Sequence, residues 1–198
     1  MRDRWYSDNR DLIKWAVLIH VARTHALGTI IQVPYWRPEK KRQYFTLRDE
    51  RVQVPDEVWS FFRNVRNIER LGCECGITVK IVAEQFSHTE RSTYATHVAR
   101  YLKDSAHPLL LFLDPDTGLE PQKPNEKHTT KKELQDAWAD LHVGDFLVFY
   151  QHARREKDWI KSVADQIRSV CGGANVEVAR AEDVGRDVAF FCVERHAN

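Results

Sequence analysis

Acidic side chains follow a wholly apolar run in the middle of the chain. The segment LLLFLDPDTGLEP, residues 109–121, places Asp114 and Asp116 directly after Leu109–Leu113, and Glu120 follows four positions later. A buried strand that ends in acids is typical of open α/β sheets, whose active sites lie at the carboxyl ends of the strands. Carboxylate oxygens are the ligands that hard divalent cations prefer. We therefore predict that Asp114, Asp116 and Glu120 bind Mg²⁺ or Mn²⁺.

Imidazole and cationic side chains follow the next predicted strand, residues 145–150. His152 is the predicted general base, because an imidazole titrates near neutral pH, and Arg154 is predicted to neutralise a phosphate. If the strands are parallel, these residues and the acids meet at one edge of the sheet. The predicted catalytic residues are His152, Asp114 and Lys127, and the predicted cofactor contacts are Tyr150, Arg154 and Gly118.

A plain turn explains the DPDTG segment equally well. Asp, Pro, Thr and Gly are residues that turns favour, so the acids would then cap a loop or a helix end. The RREK segment at residues 154–157 has a similar alternative as a solvated face. Its cations oppose the dipole of the helix that follows unless an anion is bound.

Segments with strand and helix patterns alternate along the chain, which predicts crossovers and a mainly parallel sheet. A capping box formed by Thr130 and Glu133 predicts one helix start. The expected fold is a three-layer Rossmann-like α/β domain over residues 1–198 with a C-terminal antiparallel strand pair. Predicted helices cover 9–27, 55–72, 94–102, 131–143 and 160–170, and predicted strands cover 29–36, 77–83, 109–113, 145–150, 175–179 and 187–195.

The first predicted helix has one apolar stripe at helical spacing. Lys14 could reach the edge of the sheet where the acids lie, but a surface position is the prediction. The residues expected to be buried are Leu12, Ile13, Ala16, Val17 and His20.

Composition excludes several classes of protein. Lys plus Arg number 30 and Asp plus Glu number 29, so no overall charge indicates a nucleic-acid or membrane partner. No apolar run approaches the roughly 20 residues of a membrane span. The four cysteines are few for 198 residues, and no signal-like segment opens the chain, so we expect a cytoplasmic protein.

One segment nevertheless mixes aromatic and basic side chains, a composition that can stack bases and contact phosphates. A nucleotide or nucleic-acid partner is therefore expected, although a solvated loop is the equal alternative. The residues concerned are Trp36, Arg37, Lys40, Lys41, Arg42 and Tyr44.

The second half of the chain resembles class I methyltransferase-like Rossmann folds. The segments FLDPDTG and GDFLVFY, followed by two closing strands, are similar to that family's strand with a DPPY-like motif and its tail. The resemblance implies S-adenosylmethionine as cofactor. The first strand and loop, TIIQVPYWRPEKK, contain no glycine for close approach to that cofactor, and Asp116 and Thr117 replace the second proline and the aromatic residue. The sequence therefore argues against S-adenosylmethionine.

The convergence of acids, His152 and cations favours a nucleotide- or nucleic-acid-directed enzyme. We predict a metal-dependent phosphoester hydrolase or nuclease, in which a metal binds a negatively charged group and a base activates water. Two alternatives stay open: a divergent S-adenosylmethionine-dependent methyltransferase-like protein, and a binding module that retains the fold without chemistry.

Overall fold

The computed structural model describes residues 9–38, 44–58, 64–181 and 185–197. Helices and strands alternate over most of this length, as predicted. The helices are α1 (Asn9–Thr24), α2 (Glu69–Cys75), α3 (Arg91–Lys103), α4 (Lys131–Ala139) and α5 (Trp159–Val170). The strands are β1 (Thr29–Val33), β2 (Tyr44–Leu47), β3 (Glu50–Gln53), β4 (Thr78–Ile81), β5 (Leu109–Leu113), β6 (Gly118–Leu119), β7 (His128–Thr129), β8 (Phe146–His152), β9 (Glu177–Ala181) and β10 (Gly185–Glu194).

A six-stranded sheet of order β4-β1-β5-β8-β10-β9 forms the centre of the fold. Strands β4, β1, β5 and β8 are parallel, whereas β10 pairs antiparallel with both β8 and β9. The predicted Rossmann-like fold class and the antiparallel closing pair are both confirmed.

Helices cover both faces of the sheet, which explains why its inner strands are almost continuously apolar. On one face, Leu111 and its neighbours pack against α3, α4 and α5. On the other face, Phe112 and its neighbours pack against α1 and α2. Every residue of β1 and β5 is buried. The result is the predicted three-layer arrangement.

Helix α1 buries a different stripe from the predicted one. Leu12 is 68% exposed, whereas Trp15, Leu18 and Ala22 are buried. Two charged residues, Asp11 and Lys14, are buried on the same face. The polar interior that receives these charges comes from strands distant in sequence, so the periodicity of the helix alone could not reveal it.

The predicted helix over 55–72 is interrupted. Residues 56–58 are helical, and Phe61 and Phe62 lie outside the described residues. Asn64 then begins a 3₁₀ turn, because its side chain accepts the backbone N–H of Arg66 at 3.1 Å. Helix α2 continues past Gly72. A Cβ atom at Gly72 would lie 2.4 Å from the carbonyl oxygen of Ile77, so glycine allows the helix to pack closely against the chain that leads into β4. The helix ends before Gly76, whose φ is 66°.

The polar stretch after β1 contains a hairpin that the sequence analysis treats as a loop. Strands β2 and β3 pair antiparallel, with Tyr44 opposite Gln53. The turn residues Arg48 and Asp49 both have positive φ, 50° and 66°. Such backbone is typical of two-residue hairpin turns, although neither residue is the glycine that usually marks them.

No helix in the described ranges combines the length and the apolar character that a membrane span requires.

Candidate functional site

The chain changes direction across the sheet at β1. This strand has β4 on one side and β5 on the other, so the crevice outside the carboxyl ends of these strands is a topological switch point. Ligands of open α/β sheets bind at such points. The loop after β1, the DPDTG segment after β5 and the end of β8 meet at this edge, as the sequence analysis predicts.

Asp114, the first residue after β5, takes part in a buried ion pair. Its side chain is 1% exposed, and its Oδ1 lies 2.9 Å from Lys14 Nζ. Gln32 donates a hydrogen bond from Nε2 to Asp114 Oδ2 at 2.8 Å. The second carboxylate near Lys14 is Asp11, at 3.2 Å. The Asp114 oxygens are therefore engaged by groups of the chain itself.

Lys14 is buried beside these acids and not at the surface, contrary to the prediction. Burial alone would lower the pKa of its ammonium group, but the carboxylates of Asp114 and Asp11 outweigh that effect and raise the pKa. Its Nζ lies 4.4 Å from the centre of the Tyr150 ring, which adds a cation–π contact. The lysine is thus a fixed positive charge beneath the edge of the sheet.

The other two predicted metal ligands have separate partners. Asp116 forms an ion pair with Arg37, from the loop after β1. Glu120 accepts the backbone N–H of Lys131 at 2.7 Å, at the start of α4. Within the described ranges, Asp114, Asp116 and Glu120 do not converge into one group of possible metal ligands. Their assignment as metal ligands remains a sequence prediction only.

Tyr150 and His152 form a chain of polar contacts at the end of β8. The Tyr150 hydroxyl lies 3.1 Å from His152 Nε2, and His152 Nδ1 lies 3.5 Å from Asp187 Oδ2. Arg10 donates to the same Asp187 oxygen at 2.7 Å. Burial, and then the positive charge of Arg10, lower the pKa of His152, so the imidazole is neutral at pH 7.

Sequence reasoning missed Arg10 and Asp187, which lie 177 positions apart in the chain. Their only local signal is position: Arg10 lies at the start of a helix, and Asp187 lies in a strand. Antiparallel pairing of β10 with β8 places Val188 opposite His152, and this register could not be deduced from the pattern alone.

Gln151 connects the end of β8 to the loop after β5. Its Oε1 accepts the N–H of Leu119 at 2.8 Å, and its Nε2 donates to Thr117 O at 3.0 Å. Gly118, a predicted cofactor contact, lies between these two residues with φ 124°. Arg154 donates to Leu119 O at 3.1 Å. Gly118 and Arg154 thus both lie at the carboxyl edge of the sheet, and their roles as cofactor contacts remain predictions.

The Lys127 side chain is exposed, and only its backbone reaches this loop, by accepting the N–H of Thr117 at 3.1 Å. Its predicted catalytic role remains a prediction, as do those of Asp114 and His152.

In the loop after β1, an aromatic residue and not a glycine adopts left-handed backbone. Tyr35 has φ 47°, the left-handed backbone that glycine favours, yet its ring is buried and packs against Phe86 and Tyr94. Glu84, three residues after β4, leaves its Oε2 buried without a hydrogen-bond partner among the described residues. Buried acceptors of this kind are usually satisfied by a ligand or water.

No protein-family model matches the chain, and no curated protein matches its sequence. Solved structures match its fold. One is a provisionally assigned methyltransferase from Thermobifida fusca YX, with TM-score 0.48, 10% identity, and coverage of 93% of this chain and 80% of that one. Another is a DUF574 family protein from Streptomyces avermitilis MA-4680, with TM-score 0.43, 9% identity, and coverage of 94% and 82%. The resemblance to class I methyltransferase-like Rossmann folds is confirmed for the fold.

These findings correct two sequence predictions. The interpretation as a phosphoester hydrolase or nuclease with Mg²⁺ or Mn²⁺ is corrected by the first of these structures, which is itself described as a provisionally assigned methyltransferase. The argument against S-adenosylmethionine is corrected with it. Locally, the first error arose because acids at a strand end were taken to be open to a metal, whereas Lys14 and Gln32 already bind Asp114. The second rested on the missing glycine for close approach to the cofactor, although Tyr35 gives this loop the left-handed backbone that glycine favours.

Proposed function

We propose that this chain is a methyltransferase-like enzyme that binds S-adenosylmethionine outside the carboxyl ends of β1, β4 and β5. The observation that carries the proposal is the switch point at β1, with the buried and unpartnered acceptor Glu84 Oε2 beside it in the described structure. Open α/β sheets bind nucleotide ligands at this position, and an acid near the end of a neighbouring strand binds the ribose.

The residues at this edge fit the nucleoside part of the cofactor. Glu84 can accept a ribose hydroxyl at Oε2, while Arg100 donates to its Oε1 and holds the carboxylate in place. The carbonyl oxygen of Trp36 accepts the N–H of Phe86 at 2.7 Å, which holds this residue near the ends of β1 and β4. Because Trp36 is only half-buried, its ring offers a surface on which a base can stack. Tyr35 supplies the positive φ of the first loop without glycine.

S-adenosylmethionine supplies an electrophilic methyl group on a positively charged sulfur. An acceptor N–H or O–H loses a proton when it takes that group, and His152 is the side chain that we assign to receive it. The Tyr150 hydroxyl holds His152 Nε2, which leaves Nδ1 facing Asp187. With the Nδ1 proton directed at Asp187, the proton from the acceptor would pass through the Tyr150 hydroxyl to Nε2, and the imidazolium ion that results is paired with Asp187. Lys14 and Gln32 fix the Asp114 carboxylate and thereby position the end of β5.

We propose a nucleotide or a single-stranded nucleic acid as the acceptor. The β2–β3 hairpin follows β1 and has exposed aromatic and cationic side chains, with Arg51 Cζ 4.0 Å from the centre of the Tyr44 ring. Such stacked pairs contact bases and phosphates without reading sequence. The basic residues Lys40, Lys41 and Arg42, which also belong to this prediction, lie outside the described residues.

We further propose that the chain is one domain that acts in the cytoplasm. The sheet runs through strands from both halves of the sequence, which supports a single unit. All four cysteines are free, and Cys171 and Cys192 are buried, as suits a reducing compartment.

Calorimetric titration with S-adenosylmethionine and with its demethylated product, S-adenosylhomocysteine, tests the proposal. We expect both to bind the wild-type chain and Glu84→Gln to weaken binding about tenfold or more, since a hydrogen bond to a charged group contributes about 1.5–3 kcal/mol. The matched control is Glu90→Gln, which makes the same change at an exposed position.

Each outcome separates a different part of the proposal. If neither compound binds the wild-type chain, the proposed function is wrong. Binding that Glu84→Gln leaves unchanged would retain the function and reject Glu84 as the ribose contact.

A further inference from the structure

Two imidazoles and a carboxylate meet at the opposite edge of the sheet. His107 precedes β5, and His142 and Asp145 precede β8, so all three lie at the amino ends of neighbouring parallel strands. Seven residues separate His107 from Asp114 and Asp145 from His152, and strands rise about 3.3 Å per residue, which puts this cluster roughly 20–25 Å from the candidate functional site. One possible ligand atom from each residue lies within 4.8 Å of the other two.

We propose that His107, His142 and Asp145 bind one transition-metal ion, with Zn²⁺ as the preferred ion. The proposal is independent of the proposed methyl transfer. It also differs in residues, ion and edge of the sheet from the Mg²⁺ or Mn²⁺ site predicted from the sequence. Two imidazole nitrogens and one carboxylate are a donor set that zinc accepts, with a fourth position left for water.

The carboxylate of this cluster is already held in position. Asp145 is fully buried, and its Oδ1 accepts the N–H of Leu109 at 2.8 Å while its Oδ2 accepts the N–H of His142 at 2.7 Å. Metal ligands in proteins are usually fixed by outer hydrogen bonds of this type. The two loops that supply the ligands are thus joined through Asp145 before any metal binds.

The two imidazoles lie next to this carboxylate. His107 Nδ1 is 2.7 Å from Asp145 Oδ2, and the ring of His142 stacks on that of His107 with centroids 3.8 Å apart. A tetrahedral zinc ion with bonds of about 2.1 Å needs ligand atoms about 3.4 Å apart. Binding therefore requires His107 Nδ1 and Asp145 Oδ2 to separate slightly, and a ring nitrogen of the exposed His142 to turn towards both of them.

Metal binding is measured on the full chain after removal of metal with EDTA. Calorimetric titration with ZnCl₂ should give one ion per chain, and titration with CoCl₂ should give visible absorption bands of a four-coordinate nitrogen and oxygen site. We expect His142→Ala to weaken zinc binding by at least about 10-fold. Removal of an outer-shell partner alone typically lowers metal affinity by about 10- to 100-fold, and the loss of a direct ligand should cost at least as much. Because His142 is exposed, this substitution leaves the core intact.

Two controls identify the binding residues. His20→Ala removes another exposed imidazole, on α1, and should bind zinc like the wild type. A Cys73→Ser, Cys75→Ser variant should also retain binding, which excludes the free thiols as the ligands. The inference is overturned if the wild-type chain binds no zinc, if His142→Ala binds as tightly as the wild type, or if the cysteine variant loses binding. Titration with S-adenosylhomocysteine should give the same result with and without zinc.

Discussion

Lys14 shows how one residue can organise the candidate site. Its charge lies between Asp11 and Asp114 and above the Tyr150 ring, and none of these groups is exposed enough to be solvated alone. A buried ion pair contributes little net stability compared with an apolar replacement of both partners. Its geometric effect is larger, because Asp114 has to stay where Lys14 and Gln32 hold it.

Removal of Lys14 alone should be costly. Lys14→Met removes the cation that faces the buried Asp114 carboxylate, and we expect the free energy of unfolding in urea to fall by about 3–5 kcal/mol. Lys132→Met makes the same change in an ion pair on α4 where the lysine side chain is 76% exposed, and it should cost no more than about 0.5 kcal/mol. Equal losses in the two variants would contradict the assignment of Lys14 as a buried charge. Adding Asp114→Asn to Lys14→Met should recover part of the loss.

At the level of elements, the loop after β5 depends on a contact between a glycine and a glutamine. A Cβ atom on Gly118 would lie 2.1 Å from Gln151 Oε1, and the φ of 124° is a conformation that other residues rarely adopt. Gln151 bonds the residues on both sides of that glycine. The end of β8 and the DPDTG loop therefore hold one position together.

Gly118→Ala should disturb this loop. Backbone strain costs about 1–3 kcal/mol. Displacement of Gln151 also removes the hydrogen bond of the Leu119 N–H and leaves the Thr117 carbonyl with only the His152 N–H as donor, so we expect a clear fall in the thermal midpoint. Gly28→Ala, where a Cβ meets nothing within 4 Å, is the control and should change the midpoint little. Adding Gln151→Ala to Gly118→Ala tests the contact, because the two losses should be less than additive. Strict additivity would show that the residues do not interact.

Sequence patterns predicted these elements better than their contacts. The run Leu109–Leu113 and the Thr130–Glu133 capping box are local signals, and both appear where predicted. The buried face of α1 was not predictable, because it receives Asp114 from a strand 100 positions away. Neither was the hairpin, since its turn is made by Arg48 and Asp49 without glycine. Local residue patterns thus predict whether a segment is a helix or a strand, whereas contacts between distant segments determine which charged side chains are buried.

Charge over the whole molecule is nearly balanced, at +1, so long-range attraction to a polyanion is weak. Any nucleic-acid contact must then depend on a local surface. The β2–β3 hairpin is the surface that we propose, because the Arg51 and Tyr44 side chains are exposed and stacked on each other.

Fluorescence anisotropy with a single-stranded oligonucleotide tests that surface. The Tyr44→Ala, Arg51→Ala variant should bind more weakly by about 1–3 kcal/mol, the contribution of one stacked base. Binding by the wild type should weaken as salt rises, because phosphate contacts release counterions. Arg168→Ala, at an exposed position of α5 that pairs with Asp165, should leave the affinity unchanged. An equal loss in both variants would show that general charge, and not the hairpin, accounts for binding.

The position of β10 between β8 and β9 has a consequence for biosynthesis. Strand β9 is made first, but it reaches the sheet only through β10, and β8 keeps an open edge until residues 188–194 pair with it. Before β10 docks, Phe146–His152 is therefore a mostly apolar strand that pairs with β5 on one side and has an open edge on the other. Until β10 docks, this edge can pair with another chain or be bound by a chaperone.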